Sequence, residues 1–508
     1  MPENSSNKTI AKNTIMLYIR MLISMLVGLY TSRVVLQTLG VEDYGIYGVV
    51  GGVVSMMGFL NTAMSGATGR FITYELGKGN LNRVRETFST SLIIHCIIAI
   101  ILILSSETIG LWFLCNKLEI PDGRMTAAHW VFQCSIITAA VNVTQAPYSA
   151  VITSHEKFDV YAYFEMLNVL LKLIIVYLLS ISDVDKLILY SSLMLAISLF
   201  MRGIYRIYCI KYFPESHFCW IWDKKLILPM LSFSGWGLYG VASDAIKSQG
   251  TNFIINMFFG VALNAASSIA LTVQGLCKGL SYTVTTAISP QVIKNYASGN
   301  INKMTSSMLL SVTITGSLMC LFIVPVVLNV DTLMSLWLVE APEYAPIFCK
   351  ILMFSGLVGM ISSAVFNGIY ASGTIKGINF YTGTLQLLSV PCLYFLYLYG
   401  ASPESAQYLN LVISAIILLM NLLYVKHIIP ELPLKKFMIT IAKLFVLLAV
   451  SFILMTILVA SIENPVLAML LSSIFHVFFF LGLAYLFLLD RDQRFAIKNI
   501  IIRKFCQK

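Results

Sequence analysis

Seven basic residues fall inside runs that are otherwise strongly apolar, and they are the side chains in this sequence best placed to do chemistry. They are Arg20, Arg33, Lys172, Lys247, Lys278, Lys350 and Lys443. Facing lipid near a bilayer centre would cost each of them roughly 2.5–3.5 kcal/mol, so we expect them to snorkel or to face a wet interior. Lys350 and Lys443 lie near predicted helix ends and fit snorkelling, whereas Arg33 and Lys172 fit either interpretation.

The other three basic residues each belong to a stripe of polar or small residues at helical spacing. The stripes are Arg20, Ser24, Gly28 and Thr31; Thr62, Ser65 and Gly69; Asp244, Lys247, Ser248, Thr251 and Asn252; and Gln274, Lys278, Tyr282 and Thr285. We predict that these stripes line one positively charged, water-filled cavity suited to an anionic substrate such as a phosphate or diphosphate. The alternative is that they only bridge helices structurally.

Asp244 is the acidic member of these stripes, and its spacing from Lys247 allows an i,i+3 pair. If the lysine does not compensate its charge, a carboxylate in a low-dielectric setting can carry a proton or bind sodium. Asp244 is therefore the candidate ion-coupling residue. Glu165 and Glu107 are weaker candidates for the same role.

The sequence has no recognisable catalytic or nucleotide-binding motif. Walker A, GxSxG and HExxH patterns are absent, the six histidines are scattered, and no two of the ten cysteines form a CxxC. We therefore predict no enzyme activity, no catalytic residue, no cofactor and no metal site. Any transport would be driven by an ion gradient, the membrane potential or the substrate gradient.

Composition indicates an integral membrane protein. Of the 508 residues, 58% are hydrophobic and only 11% are charged, well below the roughly one quarter typical of soluble domains. The net charge of +10 is carried in short tracts between long apolar runs, as the positive-inside rule describes. This distribution favours a membrane over nucleic acid as the partner.

Fourteen apolar runs reach the length of about 20 residues that a transmembrane helix needs. We place them at 14–36, 44–69, 88–114, 126–150, 161–181, 188–210, 228–256, 263–289, 305–329, 345–370, 378–398, 406–425, 438–461 and 466–489. With both termini cytoplasmic, the inside tracts hold 24 Lys and Arg residues and the outside loops hold three, namely Lys117, Arg124 and Lys186. This asymmetry supports both the number of helices and the orientation.

An internal repeat relates Gly40–Arg83 to Gly260–Lys303 at a constant offset of 220, with GNLNR matching GNINK. Eight of 44 positions are identical, so a chance match in a biased composition is the alternative. The repeat predicts two parallel six-helix halves, 1–210 and 211–437, followed by two further helices and a basic tail at 438–508. Transporters built this way place substrate between the halves, so we expect helices one, two, seven and eight to meet there.

The chain resembles the Wzx-type polysaccharide flippases of the multidrug/oligosaccharidyl-lipid/polysaccharide (MOP) superfamily over essentially its whole length. Two segments carry the resemblance. They are NTIMLYIRMLISMLVGLYTSRVVLQTLGVEDYGIYGVV, through the first helix, and the basic RFITYELGKGNLNRVRETF loop.

This resemblance implies flipping of undecaprenyl-diphosphate-linked oligosaccharide, across the bacterial inner membrane and by rocking of two halves, for O-antigen, capsule or exopolysaccharide synthesis. It implies that Arg20, Lys247 and Lys278 bind substrate, and it would extend the set to Arg33 and Arg70. The implied partners are the lipid-linked oligosaccharide, membrane lipids and H⁺ or Na⁺, with a polysaccharide polymerase complex as an optional assembly.

Two other functions fit parts of the sequence. A cation-coupled drug or metabolite exporter of the same superfamily would usually have twelve helices and acidic intramembrane residues, whereas this chain has fourteen predicted helices and mostly basic ones. A membrane enzyme such as a repeat-unit polymerase would typically have a large outside loop, and the longest loop here is about 17 residues.

Overall fold

The computed structural model describes residues 3–57, 59–116, 120–182, 184–338 and 342–488. All regular structure in these ranges is helical, and they contain no strand. The prediction of an all-α fold is confirmed. The predicted basic tail, from Arg491 to Lys508, lies outside the described residues.

The first half of the chain folds into seven numbered helices. They are α1 (Glu3–Met57), α2 (Phe59–Lys78), α3 (Leu81–Ser105), α4 (Leu111–Asn116), α5 (Met125–Ser154), α6 (Phe158–Ile181) and α7 (Lys186–Tyr212). A π-helical turn, Ser106–Gly110, joins α3 to α4, so the two form one continuous span. Short 3₁₀ turns occur at Asp122–Arg124 and Pro214–Ser216.

Nine helices follow in the second half. They are α8 (Lys224–Phe259), α9 (Val261–Ala297), α10 (Ile301–Leu328), α11 (Val330–Trp337), α12 (Ala345–Ser372), α13 (Lys376–Leu398), α14 (Ser405–Ile428), α15 (Leu434–Ala460) and α16 (Pro465–Phe487). The eight-residue α11 was not predicted. It fills the loop where the predicted spans were crowded.

Each of the fourteen predicted spans has a long helical segment in the described ranges. The first two share α1, which breaks at Gly40, and the second continues into α2. By length and hydropathy, nine of the described helical segments could cross a membrane. The spans predicted on α1, α2, α5, α9 and α13 are outside that set, and all five of these helices carry interior Gly, Ser, Thr or Asn residues.

Several helices are longer than the spans predicted for them. α2 ends at Lys78 instead of residue 69, and α9 ends at Ala297 instead of residue 289. Hydropathy detects only the part of a helix that lipid would surround, whereas backbone hydrogen bonding continues past it into the polar loop. The predicted helix ends were therefore too early at these two places.

The 220-residue repeat is present in the backbone as well as in the sequence. Gly40 and Gly260 both have φ of 81°, with ψ of 169° and −173°, and each precedes a long helix. Gly79 and Gly299 both have φ of 74°. Asn80 and Asn300 then cap the next helix in the same way, because each side chain accepts a hydrogen bond from the backbone N–H three residues later. Matching angles at matching positions argue against a chance match.

The conformation of Gly260 leads to a testable prediction about stability. Its φ of 81° and ψ of −173° lie in a region that is essentially restricted to glycine. Gly260→Ala should therefore destabilise the protein by about 1–3 kcal/mol and lower its thermal unfolding midpoint in detergent. Gly275→Ala, in the interior of α9 where an added Cβ meets no atom within 4 Å, is the matched control and should not lower it. Equal midpoints for the two variants would contradict the prediction.

The chain divides into two compact units, each defined by the contacts within it. The N-terminal unit is Thr9–Leu238, and the C-terminal unit comprises Met1–Lys8 and the chain from Tyr239 onward. α5 is central to the first unit, where it packs against α2, α3, α6 and α7. α12 is central to the second, where it packs against α9, α10 and α14. The finer division at 210 and 437 stays a prediction.

Candidate functional site

A polar cavity of about 320 Å³ lies within the C-terminal unit. Five helices line it: α8, α9, α12, α13 and α14. It is lined by Asp244, Lys247, Ser248, Thr251, Asn252, Ser267, Leu271, Gln274, Lys278, Ser355, Gly359, Ser362, Gln386, Gln407, Asn410, Ser414 and Ile417. Two basic side chains and one acidic side chain are included, so the cavity carries one excess positive charge.

The stripe predicted on α8 lies on this cavity with all five of its members. Lys247 donates a hydrogen bond from Nζ to Asn410 Oδ1 on α14 at 2.6 Å. Asp244 Oδ1 accepts a hydrogen bond from Gln386 Nε2 on α13 at 3.3 Å. Lys247 also interacts with the charges of Asp244 and Lys278, attractively with the first and repulsively with the second. The stripe is therefore a charged face, and neighbouring helices hold its two central groups.

Glycines on α8 and α13 leave room for side chains of the other helix beside this stripe. A Cβ added to Gly383 would lie 2.6 Å from Tyr239 Cε1, and one added to Gly250 would lie 2.9 Å from Val390 Cγ1. The Tyr239 and Thr384 hydroxyls are 2.9 Å apart and form a hydrogen bond across the same contact. Close helix–helix contact at small residues is the usual packing mode inside membranes.

The stripe predicted on α9 is only half correct. Gln274 and Lys278 line the cavity, and the Gln274 amide is fixed by Leu352 O at 2.5 Å and Ser355 Oγ at 2.9 Å. Tyr282 is 58% exposed and is not part of the lining. Thr285 is buried, with its hydroxyl 3.4 Å from that of Thr315 on α10. The periodicity placed these residues on one face, but the packing of α10 and α12 decided which part of that face is open.

Sequence reasoning missed the polar residues that α13 and α14 contribute. Gln407, Asn410 and Ser414 recur at helical spacing within a predicted span, and this pattern could have identified them. Gln407 donates to the Ser267 hydroxyl at 3.3 Å, which links α14 to α9. These residues supply amide and hydroxyl groups opposite the charged face of α8.

Arg20 lies in the N-terminal unit, in an environment of tyrosines and one carboxylate. Its Nη1 lies 3.4 Å from the Tyr161 hydroxyl, and its guanidinium lies 5.3 Å from the centre of that ring. Nearby, the buried Tyr205 donates a hydrogen bond to Glu165 Oε1 at 3.0 Å. Arg20 and Glu165 both act electrostatically on Tyr161. The predicted basic residue is therefore partly engaged by residues of its own unit.

Arg70 also lies in the N-terminal unit and is only 6% exposed. Its guanidinium is within 4.8 Å of the Phe71 ring centre, 4.6 Å of that of Tyr74 and 5.8 Å of that of Phe233. Cation–π contact stabilises such a charge where water is scarce. The side chains of Arg33 and Thr62 lie outside the described part of the chain. That Arg20, Arg33 and Arg70 share a cavity with Lys247 and Lys278 stays a prediction.

Comparisons with known proteins show similarity at the level of structure. No protein-family model and no curated protein matches the chain. Among solved structures, an outward-facing multidrug resistance MATE family transporter of the MOP superfamily aligns with a TM-score of 0.69 at 14% identity, covering 84% of this chain and 97% of that one. A MOP superfamily transporter from Pyrococcus furiosus aligns with a TM-score of 0.67 at 15% identity, covering 84% and 96%. The MATE transporter ClbM in complex with Rb⁺ gives 0.66 at 16% identity, covering 84% and 97%.

The chain has the MATE transporter fold. This agrees with the fold that the resemblance seen in the sequence implies. Nearly all of each solved MATE or MOP chain is covered, and part of this chain has no equivalent in them. At such low identity the match concerns the fold and says nothing about the substrate.

Proposed function

We propose that the protein is a flippase for undecaprenyl-diphosphate-linked oligosaccharide repeat units. It moves them from the cytoplasmic to the outer leaflet of the bacterial inner membrane by alternating access, with both termini in the cytoplasm. The observation that carries the proposal is the position of Lys247 and Lys278 on one cavity with a single acid, Asp244. An excess of positive charge in a polar cavity favours an anionic substrate over a cationic drug.

The MATE fold supports transport as the general activity, because its members named above are transporters. The Pyrococcus furiosus relative is described as having a binding pocket of reverse polarity that suggests a different function. This precedent supports the idea that polarity distinguishes substrate classes on this fold. Arg20, Arg33 and Arg70 are proposed as further contacts to the substrate, and a polysaccharide polymerase as a partner.

The test of the proposed function is deletion of the gene in its native host. We expect lipid-linked oligosaccharide to accumulate on the cytoplasmic leaflet and surface polysaccharide to be lost. Accumulation is measured as lipid-linked saccharide that a membrane-impermeant glycosidase digests only in inverted vesicles. Complementation with the wild-type chain is the control. Normal surface polysaccharide in a deletion strain that has no second flippase would exclude the function.

A cation-coupled exporter is the second candidate, and Asp244 is the observation that favours it. Asp244 is an exposed carboxylate beside Lys247 in the cavity, where H⁺ or Na⁺ could bind. Other proteins of this fold include a multidrug resistance transporter and one bound to Rb⁺. This candidate predicts that the deletion strain keeps its polysaccharide and becomes more sensitive to cationic drugs, and that Asp244→Asn reproduces the sensitivity.

A further inference from the structure

The lining of the cavity is mainly uncharged and hydrogen-bonding. Eleven of its seventeen residues carry a hydroxyl or an amide, whereas only Leu271 and Ile417 carry apolar side chains. Hydroxyl and amide groups can both donate and accept, as can each hydroxyl of a sugar. A diphosphate only accepts, and it is best bound by clustered cations or backbone N–H groups. The lining therefore matches a polyhydroxylated ligand better than a diphosphate.

Several of these polar groups are not used by the fold. Ser248, Thr251 and Asn252 form one turn of α8 on the cavity, and their side chains make no hydrogen bond to any residue the structure describes. By contrast, Gln274 is held by two partners on α12. The α8 turn thus presents two hydroxyls and one amide to the cavity, where they are available to a ligand.

The charges of the cavity are used unequally. Lys247 donates a hydrogen bond to the side-chain Oδ1 of Asn410 at 2.6 Å and is attracted by the Asp244 carboxylate. Lys278 has no hydrogen-bond or ion-pair partner among residues 3–57, 59–116, 120–182, 184–338 and 342–488. The single excess positive charge of the cavity is therefore carried by the Lys278 ammonium. One uncompensated cation suits a ligand with one negative charge, whereas a diphosphate brings at least two.

We infer that the cavity of the C-terminal unit is a saccharide subsite for a sugar bearing one carboxylate, a hexuronate. Lys278 binds the carboxylate, and the α8 turn of Ser248, Thr251 and Asn252 binds ring hydroxyls. The volume of 320 Å³ is near the lower end of the range of ligand pockets, roughly 300–1,000 Å³, so one sugar unit is accommodated and not an extended chain. This inference rests on the proposed flippase function and names which part of its substrate this cavity takes.

The test is binding of three soluble probes to the purified full-length protein: sodium glucuronate, glucose and inorganic diphosphate. Affinities are measured by saturation-transfer NMR, which detects weak binding. We expect glucuronate to bind about tenfold or more tighter than glucose, because a charge-assisted hydrogen bond adds at least that factor. Diphosphate should compete poorly with glucuronate.

Variants of the two ligand-binding regions sharpen the test. Lys278→Gln should weaken glucuronate about tenfold and bring it level with glucose, whereas Lys278→Arg should preserve the preference. Asn252→Ala should weaken glucose and glucuronate together. Lys303→Gln removes an equal charge from an exposed position on α10 outside the cavity and should change nothing. A monodisperse elution profile for each variant shows that it is folded.

Three results would overturn the inference: equal affinity for glucose and glucuronate, tighter binding of diphosphate than of glucuronate, or an unchanged glucuronate affinity in Lys278→Gln. Failure here is distinguishable from failure of the proposed function. If the deletion strain accumulates lipid-linked oligosaccharide but the protein shows no glucuronate preference, the flippase stands and the subsite is wrong. If the deletion strain has normal polysaccharide, the flippase itself is wrong.

Discussion

Under the proposed function, Lys247→Ala should reduce transport of the lipid-linked oligosaccharide at least tenfold. The substitution removes the hydrogen bond to Asn410, and it leaves Asp244 without the nearby cation that balances it. The cavity would then carry no excess positive charge. One charge-assisted contact between the cavity and an anionic substrate is worth about 1.5–3 kcal/mol, so its loss corresponds to a tenfold or greater decrease. The measurement is the amount of surface polysaccharide in the deletion strain complemented with the variant.

Two matched variants show whether the loss reflects the charge in the cavity. Lys247→Arg keeps the charge and should retain much of the activity. Lys303→Ala removes a charge from the exposed side of α10 and should transport at the wild-type level. Membrane insertion is checked by the amount of protein in the membrane fraction. Wild-type transport by all three variants, Lys247→Ala, Arg20→Ala and Lys278→Ala, would remove the argument that a positively charged site binds an anionic substrate.

Arg124→Ala should cause the largest loss of stability among substitutions outside the predicted spans. Arg124 connects two carboxylates of its unit that are distant in sequence. Its Nε donates to Asp43 Oδ1 at 2.7 Å, its Nη2 contacts the other Asp43 oxygen, and its Nη1 donates to Asp185 Oδ2 at 2.5 Å. All three side chains are less than a third exposed, so water does not replace these bonds fully. Removing the arginine leaves two uncompensated carboxylates, at a cost of about 2–3 kcal/mol after allowance for their partial exposure.

The cluster also makes stability depend on pH in a defined direction. Partial burial of Asp185 favours its protonated form, but hydrogen bonds from Ile188 N–H, Arg124 and Leu187 N–H outweigh this and lower its pKa below the usual 3.8. A carboxyl with a lowered pKa in the folded state stabilises the protein above the unfolded-state pKa, and this contribution is lost as the pH falls through the folded-state pKa. The thermal unfolding midpoint should therefore decrease as the pH is lowered below about 4.

The arginine variant and a neighbouring control separate this cluster from general effects of charge. Arg124→Ala should show a lower midpoint at pH 7 and a smaller further drop on acidification than the wild type. Lys186→Ala removes a positive charge from the residue next to Asp185, outside the cluster, and should behave as the wild type does. The prediction fails if Arg124→Ala and Lys186→Ala unfold at the same temperature in detergent at pH 7.

The position of Asp43 shows why such a cluster could not be derived from the sequence. From the sequence, Arg124 is recognisable only as one of three basic residues in predicted outside loops. Its two partners lie 81 and 61 residues away, Asp43 on α1 and Asp185 at the start of α7. Charge type was readable at each position, but pairing depends on how α1, α5 and α7 pack. That packing is a property of the folded unit.

The candidate cavity was predicted in part, and the successes and failures have one physical reason. All five predicted residues of α8 lie on the cavity, because residues at i, i+3, i+4 and i+7 share a helix face whatever the tertiary structure. Tyr282 and Thr285 share the α9 face with Gln274 and Lys278 but do not line the cavity. Periodicity fixes which residues face one direction, and the neighbouring helices fix how far along the helix that direction is open.

The sequence by itself determined the all-α class, the long helices and the repeat. Hydropathy, the distribution of Lys and Arg, and the positions of matching glycines can each be read from the residue types of short segments. Tertiary structure alone decided which polar faces converge. Lys247 meets Asn410 across 163 residues, and Arg20 meets Tyr161 across 141. The contact between α8 and α13 likewise exists only in the folded unit, where a Cβ added at Gly250 or Gly383 would lie within 3 Å of a side chain on the other helix. Local patterns carry no information about such distances, because they arise only when separate helices pack.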